Sequence, residues 1–413
     1  MANVIVAGAG IVGVSTAIWL QRAGHRVTLL DREGPASGTS HGNAGVLAAA
    51  AVVPVTTPGL IWKAPGMLLD RDQPLFLRLS YVPRMIPFLW RYMSHANDTH
   101  VRHYARHMSY LLGDSYAQHM SLAQGTGAEK FVHDNDYCFG YATRAAYEAD
   151  SYGWGVRRDY GVPYTVMSGA DYAAIDPVFS DQFETVILCP NHGRISDPGA
   201  YVQALCTHFE EQGGTVKLTT LKDIEMGPDG CEALITSDGR MTADHIVLAL
   251  GPWSADSARK MGASKLSFES ERGYHVEFVA PSVMPKNPMM VAAGKFVMTP
   301  MDGRIRCAGV VEFGGLKAGP SRAPFDLLYR AVSKLLPDLT YADTREWMGH
   351  RPAPADSLPL IGPMDKAGKG YVGFGHQHVG LTGGPKTGRL IADMISGRAP
   401  NADMSAFDPA RYG

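Results

Sequence analysis

The first 33 residues constrain the fold more than any other part of the chain. An apolar run from Val4 leads into Gly8-Ala-Gly-Ile-Val-Gly13, an apolar helical segment follows, and a second apolar run ends in Asp31. This order of strand, glycine-rich turn, helix and strand is typical of a dinucleotide-binding βαβ unit, whose acid lies roughly 20 residues after the glycines. Asp31 follows Gly8 by 23 residues. The alternative is a βαβ turn that only shapes the fold.

Each glycine of this motif meets a separate steric requirement. Gly8 permits the sharp turn out of the first strand, Gly10 lets the backbone approach a pyrophosphate, and Gly13 allows close packing of helix on strand. The helix then presents free N–H groups and a partial positive charge to the phosphates. We expect Asp31 to accept hydrogen bonds from an adenosine ribose. Because an acid there disfavours a 2′-phosphate, NADP is an unsuitable ligand.

Composition excludes several classes of protein. A chain of 413 residues with 45% hydrophobic content can bury a large core, and its length predicts two domains. The net charge of −2 gives no general electrostatic reason to bind nucleic acid. The five cysteines are scattered and lack C-x-x-C spacing, so we expect reduced, mostly buried thiols.

The N-terminus and the apolar runs predict a cytoplasmic location. The chain begins with the first apolar strand, and no basic segment of a signal peptide precedes Val4. The longest apolar run, residues 44–55, has 12 residues and contains Pro54, so it is too short to cross a bilayer.

Three later segments return the chain to the nucleotide site. They are a loop of small residues at 37–45, an apolar strand with a glycine turn at 245–254, and a strand with a glycine-rich turn at 371–388. A simple NAD-linked dehydrogenase usually completes its nucleotide domain in one contiguous stretch, whereas these segments are widely separated. The helix after the last turn has one apolar face, and its N-terminus suits the negative charge of a reduced flavin.

The segment 56–95 includes a run, residues 75–93, that mixes large apolar side chains with arginines. The apolar set includes Phe76, Leu77, Phe88 and Trp90, and the cations are Arg78, Arg84 and Arg91. One interpretation is a helical pair that covers the core. The other is an amphipathic surface that contacts the inner face of a membrane peripherally.

The order of these motifs resembles flavin amine oxidoreductases, the family of D-amino-acid oxidase and glycine oxidase. Within this family, the motifs resemble the bacterial D-amino-acid dehydrogenases of the small-subunit type. The resemblance covers essentially the whole chain and rests on the first motif and on Thr39-Ser-His-Gly-Asn-Ala-Gly45, Ala249-Leu-Gly-Pro-Trp-Ser254, Gly349-His-Arg-Pro352, Pro359-Leu-Ile-Gly362 and Gly375-His-Gln-His-Val-Gly-Leu-Thr382.

The family resemblance implies an α/β fold with two domains. One is a Rossmann-like FAD-binding domain in separated segments, and the other is an α/β substrate domain with an antiparallel sheet. The predicted segments of the FAD-binding domain are 1–50, 186–264 and 345–413. Those of the substrate domain are 51–185 and 265–344.

The resemblance also assigns roles to particular residues. Arg351 of the G-x-R-P motif corresponds to the arginine that binds the substrate carboxylate. With Tyr274, on a strand that faces the substrate, and His41, in the cofactor loop, it forms the predicted catalytic set. The residues implied to bind FAD are Gly8, Gly10, Ile11, Val12, Gly13, Asp31, Arg32, Thr39, Ser40, Asn43, Ala44, Gly45, Leu221, Gly251, Trp253, Gly375, His376, Val379, Gly380, Leu381 and Thr382. Gln377 and His378 depart from the usual dehydrogenase pattern, which predicts an altered pocket. We find no metal-spaced cluster.

The reaction that the resemblance implies is oxidative deamination of an amino acid, with D-amino acids expected as substrates. A hydride passes from the substrate Cα to flavin N5, and the imino acid is hydrolysed to a 2-oxo acid and ammonia. Within the class, glycine, sarcosine, proline or hydroxyproline are alternative substrates. An NAD-linked dehydrogenase and a non-catalytic flavin-binding subunit are alternatives from other classes. The acceptor that reoxidises the flavin, oxygen or a quinone of an electron-transfer partner, stays open.

Overall fold

The computed structural model describes residues 1–60 and 75–413 of the chain. The strands of these residues are β1 Asn3–Ala7, β2 Arg26–Asp31, β3 Leu75–Leu77, β4 Val132–His133, β5 Tyr137–Tyr141, β6 Thr165–Ser168, β7 Thr185–Cys189, β8 Arg194–Ile195, β9 Thr215–Leu218, β10 Leu221–Gly227, β11 Gly230–Thr236, β12 Gly239–Met241, β13 His245–Leu248, β14 Phe268–Val279, β15 Met289–Val291, β16 Phe296–Met301, β17 Arg304–Phe313, β18 Asp343–Pro354, β19 Leu360–Pro363 and β20 Gly370–Phe374. The helices are α1 Ile11–Arg22, α2 Val82–Ser94, α3 Asp98–Leu112, α4 Ser115–Ala123, α5 Arg144–Ala149, α6 Ser151–Asp159, α7 Gly169–Ile175, α8 Pro198–Glu211, α9 Ser254–Lys260, α10 Arg322–Leu335 and α11 Gly380–Ile395.

A six-stranded sheet in the order β19-β20-β13-β1-β2-β9 contains the glycine motif. All its pairings are parallel except that of β19 with β20. Side chains of a strand alternate between faces, so Val4 and Val6 pack under α1, α8 and α11, whereas Ile5 and Ala7 pack against α9 and the small sheet β10-β11-β12. Cover on both faces explains why the strands are continuous apolar runs.

The strands of this sheet come from widely separated parts of the chain. Val4 in β1 pairs with Val27 on one side and with His245 on the other, and β13 then pairs with β20 near the C-terminus. The prediction of a Rossmann-like unit assembled from separated segments is confirmed by this topology.

A nine-stranded sheet forms the second large layer. Its order is β18-β14-β17-β16-β15-β5-β7-β6, and β3 lies beside β17. The pairings are antiparallel apart from β15 with β5 and β17 with β3. Helices α7 and α10 cover one face through an aromatic and aliphatic core, and the opposite face looks toward the first sheet. The predicted substrate domain with an antiparallel sheet is confirmed in architecture.

The predicted domain boundaries can be placed against the two sheets. Strands β7 and β18 belong to the nine-stranded sheet, although the segments 186–264 and 345–413 assigned them to the FAD-binding domain. The strands of the six-stranded sheet all lie within the segments predicted for it. The division into two domains stays a prediction. To keep each sheet within one domain, the boundaries near 186 and 345 would lie after the ends of β7 and β18.

A β-bulge interrupts the pairing of β14 with β17 at Gly273 and Tyr274. Opposite it, Val310 has a φ of 58°, in the left-handed region that a β-branched residue rarely adopts. Bulges bend a strand and redirect its groups. Here the bulge lies beside Arg351, which donates to the carbonyl oxygens of Gly309 and Val310.

Two further predictions concern the state of the cysteines and contact with a membrane. All five cysteines are buried, as predicted, and none is in a disulfide. Throughout residues 1–60 and 75–413, no helix is both long and apolar enough to span a bilayer. Part of the segment considered for membrane contact, residues 61–74, lies outside the described residues.

Candidate active site

A cavity of about 1770 Å³ lies between the two large sheets. Its walls include the residues that follow β1, β2 and β13 and the exposed face of β14 and β17. In open α/β sheets, ligands bind outside the carboxyl ends of the strands. Pockets for drug-sized ligands are roughly 300–1,000 Å³, so this cavity has room for a dinucleotide and a second small molecule.

The glycine turn forms one end of the cavity. Gly8 has a φ of 109°, and a Cβ there would overlap the carbonyl oxygen of Ala249. A Cβ on Gly13 would overlap the carbonyl of Gly8 itself. Both positions therefore require glycine if α1 is to begin directly beneath the turn.

The N-terminus of α1 opens onto this turn with free donors. Its N-cap, Gly10, has no side chain to accept a hydrogen bond, and the first turn of the helix contains no acidic residue. The Ile11 N–H donates to Ser40 Oγ at 2.9 Å. The remaining N–H groups of the first turn and the helix dipole provide a positive site that fits a pyrophosphate.

Asp31 lies at the end of β2 on the same side of the cavity. Its Oδ2 accepts from the Ala9 N–H at 2.8 Å, and its Oδ1 accepts from the N–H groups of Glu33 and Gly34. A carboxylate has about four acceptor positions, so one more hydroxyl donor can be accommodated. Next to it, the Arg32 guanidinium lies 4.1 Å from the Trp253 ring centroid, and both residues line the cavity.

The middle of the cavity is bordered by a rigid loop and by the start of α11. The Asn43 side chain donates to the Ser40 carbonyl and accepts from the Gly45 N–H, which fixes the loop. Helix α11 has no side-chain cap and no acid in its first turn, and Val379, Gly380 and Leu381 line the cavity. Its positive end therefore faces the cavity and would stabilise negative charge on a bound flavin.

Two histidines near this helix are neutral at pH 7. Burial lowers the pKa of His376 to about 4, and its Nε2 lies 2.9 Å from Thr387 Oγ1. The exposed His378 side chain lines the cavity. Desolvation there, together with the nearby Arg351 charge, lowers its pKa to about 4. Both rings can accept a hydrogen bond at one nitrogen and donate at the other.

Arg351 occupies the end of the cavity formed by the nine-stranded sheet. Its guanidinium extends along β14 into the space that a side chain on Gly273 would fill. It donates to the carbonyl oxygens of Val310 at 3.0 Å and Gly309 at 3.2 Å. Burial lowers its pKa, but a guanidinium stays protonated in proteins. Its other N–H donors remain for a ligand.

Glu271 lies directly across the β14–β18 pairing from Arg351. The side chain lines the cavity and is 5% exposed. Burial raises the pKa of its carboxyl group, and the Arg351 charge opposes that shift. Tyr92, on α2, also lines the cavity, and burial, followed by the Glu271 charge, raises the pKa of its hydroxyl.

The structure brings most of the predicted site residues to one cavity. The cavity is lined by Gly8, Gly10, Ile11, Val12, Asp31, Arg32, Thr39, Ser40, Asn43, Ala44, Leu221, Gly251, Trp253, His376, Val379, Gly380, Leu381 and Arg351. The predicted residues outside this lining are Gly13, His41, Gly45, Gly375 and Thr382. The Thr382 hydroxyl instead accepts from the Ala48 N–H and donates to the Val46 carbonyl. Individual cofactor contacts stay predictions.

Two predicted catalytic residues need correction. The His41 ring is exposed and lies outside the cavity, against Trp347 and the start of α8. The Tyr274 backbone borders the cavity, but its ring packs edge-on against Phe325 on the opposite face of the sheet. Its hydroxyl donates to Glu312 at 2.5 Å in a buried network. The strand does face the site, but through Glu271 and Gly273, because alternate residues point to opposite faces.

Sequence reasoning missed several residues of the cavity. The sequence motifs assign no role to Glu271, Trp347 or Tyr92, all of which line the cavity. The alternation of side chains along β14 places Glu271 and Gly273 on one face of the sheet. The position of Glu271 opposite Arg351 depends on how β14 pairs with β18, which the local sequence does not determine. In residues 1–60 and 75–413, no group of three or more His, Cys, Asp or Glu side chains has metal-binding geometry.

Comparison with known proteins identifies the family of this chain. The model of the DAO family, described as FAD dependent oxidoreductase, matches residues 3–394. The chain is 34% identical over 417 residues to a D-amino-acid oxidase of Bradyrhizobium diazoefficiens, covering 99% of each protein. It is 29% identical over 420 residues to a D-amino acid dehydrogenase of Sinorhizobium medicae, covering 100% of each. The glycine oxidase structure from Geobacillus kaustophilus matches with a TM-score of 0.76 at 21% identity, covering 99% of this chain and 98% of that one.

The two-sheet fold and the long cavity between a dinucleotide turn and a half-buried arginine define a flavin-dependent oxidoreductase. The chain belongs to the DAO family of FAD-dependent oxidoreductases. FAD is its cofactor, and the uncapped helix ends, the glycine turn and the cavity volume fit that molecule. The alternative of an NAD-linked dehydrogenase is wrong.

Replacing Asp31 tests the ribose end of the site. In Asp31→Asn the amide oxygen can still accept from the Ala9 N–H, but the charged acceptor for a ribose hydroxyl is lost. We expect FAD affinity to fall about tenfold to a hundredfold, since a hydrogen bond to a charged group contributes about 1.5–3 kcal/mol. Titrating apoprotein with FAD measures this. Asp223→Asn, on the exposed strand β10, is the control, and equal FAD affinity in both variants would contradict the ribose role.

Proposed function

We propose that this enzyme oxidises α-amino acids, D-amino acids first among them, to imino acids that hydrolyse to 2-oxo acids and ammonia. The observation that carries the proposal is Arg351, a half-buried cation with free donors facing the cavity. The names of the two relatives, D-amino-acid oxidase and D-amino acid dehydrogenase, support the substrate class and its handedness.

Arg351 would bind the substrate carboxylate through two parallel N–H donors. The fork geometry fixes both position and orientation, which a single ammonium does not. The carbonyl oxygens of Gly309 and Val310 immobilise the guanidinium before a substrate arrives, so little side-chain entropy is lost on binding. FAD supplies the redox chemistry by accepting the hydrogen and electron pair from the substrate Cα, and the protein supplies orientation.

An apolar wall next to Arg351 would receive the substrate side chain. It is formed by cavity-lining residues of β3, α2 and β17, namely Leu75, Leu77, Leu89, Met93, Val311 and Phe313. This wall favours aliphatic or aromatic side chains, because charged groups would lose their hydration there without a partner.

The deciding experiment is an anaerobic screen of flavin reduction. Purified FAD-loaded enzyme is mixed with D- and L-amino acids, glycine, sarcosine, proline and hydroxyproline, and bleaching of the oxidised flavin spectrum is followed. We expect fastest reduction by an apolar D-amino acid. Faster reduction by sarcosine or a proline derivative would favour the alternative of a secondary-amine or glycine-type oxidase. No reduction by any amine would favour a non-catalytic flavin-binding subunit.

We further propose that α2 contacts an anionic membrane, from which a quinone would reoxidise the flavin. Of the apolar residues that prompted the idea, Phe76 packs against the core, Leu77 lines the cavity and Phe88 is buried. Trp90, however, is 79% exposed, and Ile86 is also exposed. Exposed Arg84 and Arg91 lie on the same helix. Apolar side chains beside cations are typical of helices that lie at a membrane surface.

Liposome flotation tests this surface. We expect the protein to float with anionic vesicles at low salt and to bind less at about 1 M salt, where the screening length falls to about 3 Å. The double variant Ile86→Ser, Trp90→Ser should lose most binding, whereas Leu218→Ser, at an exposed site on β9, should not. Equal flotation of both variants, or none of the wild type, would leave α2 as a helix that only covers the core.

A further inference from the structure

The carboxylate of Glu271 lacks a partner inside the cavity. It is 5% exposed and lines the cavity, yet within the described part of the chain no hydrogen bond reaches its oxygens. Buried carboxylates are normally paired or hydrogen-bonded, because an ion in a low-dielectric interior is costly. The neighbouring Glu269, also buried, follows that rule: the Tyr81 hydroxyl lies 3.0 Å from its oxygens.

The nearest cation does not neutralise Glu271 directly. Arg351 is its cross-strand neighbour, and directly opposed residues of antiparallel strands have Cβ atoms about 5 Å apart on the same face. The Arg351 guanidinium extends away from Glu271, over Gly273, and donates to the carbonyl oxygens of Gly309 and Val310. No ion pair joins the two side chains in the described chain. A positive and a negative group therefore stand side by side with a gap between them.

Two opposite charges that are not paired with each other suit a zwitterion. An α-amino acid carries its carboxylate and its ammonium on one carbon, so the two groups are a few ångströms apart and have a fixed orientation. Bound between Arg351 and Glu271, the carboxylate would meet the guanidinium and the ammonium would meet the carboxylate of Glu271. Of the other cavity-lining groups, the Tyr92 hydroxyl on α2 interacts with the Glu271 charge and the neutral His378 ring with the Arg351 charge, and neither provides a second negative charge.

We propose that Glu271 binds the α-amine of the substrate and accepts its proton. The inference rests on the proposed amino-acid oxidation. One proton moves from the ammonium nitrogen to a Glu271 oxygen, which leaves a neutral amine and a neutral carboxylic acid, and no electrons are transferred. The freed lone pair can then expel the Cα hydrogen as hydride. The raised pKa of the buried carboxyl group makes it a better acceptor than an exposed glutamate.

The test compares an amino acid with the same molecule without its amine. D-Leucine and 4-methylpentanoate are one such pair, and the best substrate of the screen with its deamino acid is another. Binding to FAD-loaded Glu271→Gln is measured by anaerobic flavin absorbance, from the saturation of reduction for the amino acid and from equilibrium titration for the carboxylate. We expect amino-acid affinity to fall at least about tenfold. Affinity for the carboxylate should stay the same or rise, since a nearby negative charge is removed.

A matched variant and a conservative variant separate this role from a structural one. Glu269→Gln changes the same residue type on the same strand, outside the cavity lining, and should alter neither affinity. Glu271→Asp retains the charge and should recover part of the amino-acid affinity. If Glu271→Gln weakens both ligands equally, the residue acts on Arg351 or on the fold, and the proposal fails. If only substrates with a basic side chain are weakened, Glu271 binds that side chain rather than the α-amine. Failure of the proposed function is a separate result, because the wild type would then show no reduction by any amino acid.

Discussion

Replacing Arg351 by alanine is expected to weaken substrate binding about tenfold to a hundredfold and to slow flavin reduction as well. The affinity loss follows from about 1.5–3 kcal/mol for hydrogen bonds between a charged donor and the carboxylate. The rate falls in addition because, without this anchor, few bound poses point the Cα–H bond at the flavin, and misplacement costs rate as well as affinity. Stopped-flow reduction by the best substrate gives both quantities from one concentration series.

The controls for Arg351 distinguish loss of the substrate anchor from loss of FAD and from loss of any positive charge in the cavity. FAD content should stay normal, since Arg351 lies at the sheet end of the cavity, away from the glycine turn. Arg351→Lys should recover only part of the loss, because an ammonium lacks the planar fork. Arg157→Ala removes another cation that lines the cavity, one that donates to the Ala50 carbonyl, and should retain substrate affinity. Wild-type affinity and rate in Arg351→Ala would place the carboxylate anchor elsewhere.

Gly13→Ala is expected to abolish stable FAD binding while leaving much of the fold intact. The added methyl group would overlap the carbonyl of Gly8, and neither backbone segment can rotate away as a flexible side chain could. Relief requires α1 to shift from β1, which disturbs the turn and the helix N-terminus together. Overpacking costs about 1–3 kcal/mol in typical cores. Because this clash is with backbone, we expect a cost at the upper end of that range, which corresponds to a fall of about a hundredfold in FAD affinity. The measurement is FAD content after dialysis, together with titration of the apoprotein.

A second glycine provides the comparison for this effect. Gly155 lies within α6, its φ is not positive, and a Cβ there would meet no atom within 4 Å. Gly155→Ala should therefore retain full FAD content and raise stability slightly, because alanine restricts the unfolded chain. Full FAD retention in Gly13→Ala would show that the turn tolerates a displaced helix, and the steric argument for this glycine would be withdrawn.

The sequence predicted the cofactor end of the site better than the substrate end. The glycine turn, Asp31 and the start of α11 are local patterns, in which spacing along the chain fixes spacing in space. The substrate end depends on pairing between strands that are distant in sequence. Glu271 and Arg351 become neighbours only through the register of β14 with β18, which no local pattern encodes.

The errors at Tyr274 and His41 have the same physical origin. Both residues lie in segments that do border the cavity, so the motif located the backbone correctly. The side-chain direction is decided by the pleat of β14 for Tyr274 and by the packing of the loop on Trp347 for His41. The strained Val310 was also beyond sequence reasoning, because valine gives no sign that it will adopt a left-handed conformation.

The segmented six-stranded sheet also has a consequence for biosynthesis. As the chain emerges from the ribosome, β1 and β2 can pair early, but β1 has an unpaired edge until β13 is made, and β13 waits in turn for β20. Such distant pairings form slowly, and until they form they leave unpaired, aggregation-prone strand edges exposed. The cleft that retains the flavin is complete only after α11 follows β20. Tight flavin binding therefore requires that α11 has been synthesised. Because a ligand that binds only the folded state stabilises it, flavin supply should raise the yield of folded protein.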